Sequence, residues 1–93
     1  MDLTPILEAV ANEYGICPAE ITSRTRRQPI AAARQVVMYL LRTTTLLTLE
    51  DIGRSLGRHH ATVIHGIDTI EGRRIHDTGL DERIRRLTKG IAP

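Results

Sequence analysis

Apolar side chains recur along this chain at helical spacing, and no segment alternates with period two over a useful length. Ile6, Leu7, Val10, Ala11 and Tyr14 make one stripe, with Pro5 after Thr4 as a helix start and Gly15 as its stop. A short helical turn is expected around Pro18–Ile21. The polar, aperiodic stretch from Thr22 to Gln28 then reads as a loop. Pro29 opens a longer helix to about Thr43, with Ile30, Ala33, Val36, Val37, Leu40 and Leu41 on one broad face; the weak helix formers Thr43, Thr44 and Thr45 end it. Thr48 and Asp51 resemble a capping box ahead of Leu49, Ile52 and Leu56, and Gly57 stops that helix after about two turns. Another helix begins near His59 and carries Val63, Ile67 and Ile70, with Asp77-Thr78-Gly79 expected to close it. The last helix begins at Asp81-Glu82, where favourable interaction with the helix dipole is reason enough for the two acids. It carries Leu80, Ile84, Leu87 and Ile91, with Arg83, Arg85, Arg86 and Lys89 on its polar side. The pattern predicts an all-α bundle of five or six helices containing a helix-turn-helix, built as one domain over 1–93.

Composition narrows the function more than the fold. A chain of 93 residues is one domain's length, and its 41% hydrophobic and 26% charged residues are ordinary for a globular domain. No apolar run reaches the roughly 18 residues of a membrane span, and the acidic start does not read as a signal peptide. Two Tyr without Phe or Trp argue against stacking platforms for single-stranded nucleic acid. A glycine-rich phosphate loop is absent, so a nucleotide cofactor has no seat. Cys17 is the sole cysteine, expected to be a small buried hydrophobe in a reducing, cytoplasmic compartment. His60 and His65 lie about 140° apart on a helix, so no metal site is expected, and His65 should pack at a helix–helix border. No catalytic constellation stands out, and the chain does not read as an enzyme.

The net charge of +2 conceals a strong asymmetry. Residues 1–20 hold Asp2, Glu8, Glu13 and Glu20 and no Lys or Arg, while residues 21–49 hold Arg24, Arg26, Arg27, Arg34 and Arg42 and no acid. An acid-free arginine block on a small domain is a footprint for a polyanion, and the guanidinium fork suits phosphate and base edges. The capped helix, the glycine and the longer helix, over about 48–72, describe a helix-turn-helix. In that motif the second helix leads with its first residues into the major groove. Those residues here are Arg58, His59, His60, Ala61 and Thr62, and the apolar positions begin only at Val63. The same spacing also occurs in helical hairpins that only pack on a core.

The stretch from Arg34 to His65 reads RQVVMYLLRTTTLLTLEDIGRSLGRHHATVIH. It resembles the C-terminal DNA-binding domain of the bacterial chromosomal replication initiator DnaA, whose pattern is close to RQ-x-A-MYL-x-R-x-x-T-x-x-S-L-x-x-IG-x-x-FG-RDHTTV-x-H. The resemblance implies a small helical bundle that binds short boxes of double-stranded DNA in replication origins and some promoters, in a bacterial, nucleoid-associated setting. It implies that Arg26, with Arg24 and Arg27 beside it in the loop of about 22–29, enters the minor groove. It further implies that Arg34 and Arg42 face phosphate, that the backbone at Thr48 and Leu49 meets phosphate, and that Arg58, His60 and Thr62 read the box. Three positions depart from the pattern: His59 stands where the family has Asp, Ala61 where it has Thr, and Glu50 places negative charge near the phosphate track. The first two leave the box sequence open, because Asp only accepts hydrogen bonds whereas neutral His donates at one nitrogen and accepts at the other. Two further readings stand beside origin binding: a stand-alone regulator of transcription or replication with altered specificity, and a helical protein-interaction module using the acidic first helix or the basic loop.

Overall fold

The computed structural model describes residues 2–91. Its elements are six helices: α1 (Thr4–Tyr14), α2 (Pro18–Ile21), α3 (Ile30–Thr44), α4 (Leu49–Leu56), α5 (His60–His76) and α6 (Thr78–Ile91), with no strand among the described residues. The central strut is α3, which packs against every other helix. That position explains its composition: Ile30, Ala33, Val36, Val37, Met38, Leu40 and Leu41 are all buried, a wider apolar arc than a surface helix shows. Val10, Ile21, Ile52, Leu56, Val63, Ile70 and Ile84 close on it from the other helices in one continuous cluster. Each such side chain contributes roughly 1.5–3 kcal/mol relative to exposure. No helix among the described residues is long and apolar enough to cross a membrane.

Local chemistry sets most boundaries. Thr48 accepts from the Asp51 amide at 3.1 Å and donates its own amide to the Asp51 carboxylate at 3.2 Å, so the capping box forms with the shorter acid. Gly57 ends α4 at φ 65°, a left-handed conformation that other residues adopt only at a cost. The hydroxyls of Thr43, Thr44 and Thr45 bond back to the carbonyls of Tyr39, Leu40 and Leu41, which satisfies the end of α3 from within.

Four expectations need correction. The break between α5 and α6 is Asp77 alone: its carboxylate accepts from the Leu80 amide at 3.0 Å, which makes it a cap, and Thr78 and Gly79 already belong to the first turn of α6. Cys17 is exposed, because it precedes α2 at the surface and its amide is held by the Glu20 carboxylate at 3.0 Å. His65 is also exposed, since Val63, Gly66 and Ile70 form the buried face of α5 and His65 falls off it.

The fourth concerns the acids and bases of the terminal helices. Asp81 is more than a dipole partner, because it bridges Arg74 on α5 and Arg85 on α6, each at 2.7 Å. Glu13 on α1 takes Arg86 at 2.6 Å and Arg83 at 3.4 Å. The arginines of α6 are therefore occupied by the bundle's own acids. Hydrogen bonds from Arg85 and Arg74 hold the Asp81 carboxyl below the usual carboxylate range. A carboxyl depressed in the folded state adds stability above its unfolded pKa of about 3.9 and loses it as pH falls through the folded value. Thermal melts taken from about pH 6 down to about pH 2 should show stability falling at the acid end, and Asp81→Asn should make that fall shallower.

Candidate nucleic-acid interface

The connection from α4 to α5 is tight. The Arg58 amide donates to the Gly53 carbonyl at 2.7 Å, and a side-chain carbon at Gly53 would run into the Arg58 backbone carbonyl. Glycine is therefore required for this close approach of backbone to backbone. After the turn, His59 is the cap of α5: its Nδ1 accepts from the Ala61 amide at 3.1 Å. His60, Ala61 and Thr62 follow on the first turn, all exposed, and the core begins at Val63. Four successive exposed positions at a helix start match the polar tip and apolar body read from the spacing.

The loop before α3 is docked against this turn by two arginines. The Arg34 guanidinium donates to four backbone carbonyls: Ile21 at 2.6 Å, Thr25 at 2.9 Å, Ser23 at 3.0 Å and Glu20 at 3.3 Å. Its residue is only 6% exposed. The Arg58 guanidinium donates to Ser23 at 2.6 Å and to Leu56 at 3.0 Å. Ser23 thus offers one carbonyl to two guanidinium groups, one from α3 and one from the turn between α4 and α5. Burial lowers the Arg34 pKa and the nearby Arg58 charge adds to this, yet guanidinium remains protonated.

This arrangement corrects the expectation for Arg34. It faces inward and is shielded from solvent, because its place on α3 falls with Ile30, Val37 and Leu41 on the buried face, and the loop carbonyls supply acceptors there. Arg58 is half-buried and spends its fork on the loop rather than presenting it outward. Arg24, Arg26, Arg27 and Arg42 differ: each is exposed, and none makes an ion pair or side-chain hydrogen bond among the described residues. Thr48 is exposed at its cap, while Leu49 is partly buried against the core, leaving its backbone at the helix start. Glu50 is exposed in the first turn of α4. The role of Ser23 was not legible in advance, because a backbone carbonyl carries no residue-type signal. No group of His, Cys, Asp or Glu suited to a metal ion occurs among the described residues.

Comparison with known proteins bears on this site. The family model described as "Bacterial dnaA protein helix-turn-helix" matches residues 3–70. The chain belongs to the bacterial DnaA helix-turn-helix family. It is similar to the chromosomal replication initiator protein DnaA of Gloeobacter violaceus, 42% identical over 83 residues, which cover 88% of this chain and 19% of that protein. The DnaA of Caulobacter vibrioides is 38% identical over 87 residues, covering 92% of this chain and 18% of that one. A crystal structure of a DNA replication initiation factor superposes with a TM-score of 0.83 at 33% identity, covering 94% of this chain and 27% of its own. The chain spans about a fifth of the length of the DnaA proteins it matches. The DnaA family's helix-turn-helix is a non-catalytic DNA-binding module, and the fold is the family's.

Proposed function

We propose that the chain recognises specific duplex DNA of the replication-initiator box kind, with the start of α5 in the major groove and the Arg24–Arg27 loop in the adjacent minor groove. The observation that carries this reading is the Ser23 junction. Arg34 and Arg58 lock the loop to the α4–α5 turn, so the exposed Arg24, Arg26 and Arg27 and the exposed His60, Ala61 and Thr62 form one preorganised surface. Arg42 and the backbone at Thr48 and Leu49 extend it toward phosphate, and Glu50 opposes part of that attraction. The setting is a bacterial nucleoid, at replication origins or at promoters. His59 and Ala61 favour a second version of the same reading, a DnaA-like regulator whose site differs from the usual box.

Salt dependence tests the proposal. Four exposed, unpaired arginines predict that log affinity falls with log salt at a slope of about −3 to −4, near −0.9 per phosphate contact. Arg26→Ala should weaken binding at least about tenfold and make the slope shallower by about one. A flat salt response, or an Arg26→Ala variant that binds as tightly as the parent chain, sinks the reading and points to a protein-docking role instead.

A further inference from the structure

We infer that His59 sets the base preference at one position of the DNA site by presenting a hydrogen-bond donor and no acceptor, which excludes cytosine there. The inference rests on the proposed docking of α5 in the major groove. The Ala61 amide donates to His59 Nδ1 at 3.1 Å, and a ring nitrogen that accepts must be unprotonated. The neutral imidazole then carries its proton on Nε2. Its single acceptor is spent on the helix, and the group turned away from the helix is an N–H. The His60 ring lies beside it, centroids 4.3 Å apart and tilted by 32°. His59 is exposed and immediately precedes the exposed first turn of α5, so a donor of set orientation stands where a base edge would lie.

Base chemistry supplies the rest. Guanine offers two adjacent acceptors in the major groove, N7 and O6; adenine offers N7 and thymine O4; cytosine offers only the N4 amine, a donor. An Nε2–H facing that amine pairs donor with donor. Guanine is therefore the best partner of His59 and cytosine the worst, with an expected preference of about tenfold or more. Two substitutions that both supply a capping oxygen to the Ala61 amide differ in what they present to the base. In His59→Asn, Oδ1 caps and the Nδ2 amine still donates, so the preference should persist. In His59→Asp, one oxygen caps and the other only accepts, so the preference should invert toward cytosine.

The test is a binding selection on random duplex DNA at about 150 mM salt with the parent chain, His59→Asn and His59→Asp, each first checked for unchanged helicity by circular dichroism. Three motifs that differ at a single position, guanine for the parent and the Asn variant and cytosine for the Asp variant, support the inference. One identical motif from all three chains, or equal tolerance of cytosine by the parent, overturns it while leaving DNA recognition standing. No enriched motif from any of the three overturns the underlying DNA reading, and the inference with it.

Discussion

Replacing Arg34 with alanine is expected to lower the unfolding free energy by about 3 kcal/mol and to weaken DNA binding by a larger factor than any exposed arginine does. Hydrogen bonds from a charged donor contribute roughly 1.5–3 kcal/mol each, and Arg34 makes four, to Glu20, Ile21, Ser23 and Thr25. The full sum is not realised, because the desolvation of the guanidinium opposes it and because the 22–28 loop can turn its freed carbonyls to water. What relaxes is the loop that carries Arg24, Arg26 and Arg27, so binding suffers through lost preorganisation even though the Arg34 guanidinium is itself buried. Arg34→Lys should recover less than half of the stability, since one ammonium cannot reach four carbonyls spread around a planar fork. Urea denaturation measures the first effect and fluorescence anisotropy on a selected duplex the second. The salt slope separates this account from a phosphate contact. A positioning role predicts a slope change different from the single unit expected of Arg26→Ala, and an Arg34→Ala chain of undiminished stability would refute it.

The second large effect is expected at Gly53. An alanine there gains about 1 kcal/mol of helix propensity in α4 but drives its methyl into the Arg58 backbone carbonyl. Backbone on both sides leaves nothing soft to move, so α4 and α5 must separate, and overpacking of this kind costs about 1–3 kcal/mol. Because the clash is with backbone, the cost should lie at the upper end, about 3 kcal/mol, and the net loss near 2 kcal/mol, about a 10 °C fall in melting temperature for a domain of this size. Binding should fall more than tenfold, since the Arg58 amide bond to Gly53 and the Arg58 grip on Ser23 both depend on that spacing. Gly66 is the control. Its added carbon would meet the Met38 sulfur at 2.7 Å, near the end of an unbranched, adaptable side chain, and alanine gains about 1 kcal/mol of helix propensity in α5, so Gly66→Ala should change stability by less than about 1 kcal/mol. Thermal melts of the two variants side by side decide the matter: equal losses would mean that the α4–α5 turn tolerates displacement.

Gly53 marks where reading the chain as a string reaches its limit. Its place between Ile52 and Leu56 on the capped helix is plain from the chain, but not what comes close to it. The corresponding limit for Arg34 is narrower. Its i−4, i+3 and i+7 neighbours Ile30, Val37 and Leu41 are all buried, so the position was marked as inward-facing by periodicity alone. The family resemblance and the count of arginines without acids both pulled the other way, because neither distinguishes a solvated guanidinium from one enclosed by carbonyls. His65 and Cys17 missed for a related reason: a half-polar side chain next to an apolar stripe has no preferred face until the neighbouring helix is in place.

The helices, their order and most of their ends follow from the sequence by itself. Periodicity, proline, glycine and capping residues act over three or four positions, and the strong local signals at Thr48–Asp51, Gly57 and the polar start of α5 survive folding unchanged. Tertiary structure decided which charges remain available. Glu13 meets Arg86 across 73 positions of chain, Arg58 meets Ser23 across 35, and Arg74 and Asp81 join α5 to α6. Such pairings depend on where the helices lie, and an ion pair or a carbonyl cage can remove an arginine from the surface without any mark in composition. That sorting leaves Arg24, Arg26, Arg27 and Arg42 exposed and without side-chain partners among the described residues, enlists Arg34 and Arg58 as braces, and leaves His59 exposed at the start of α5.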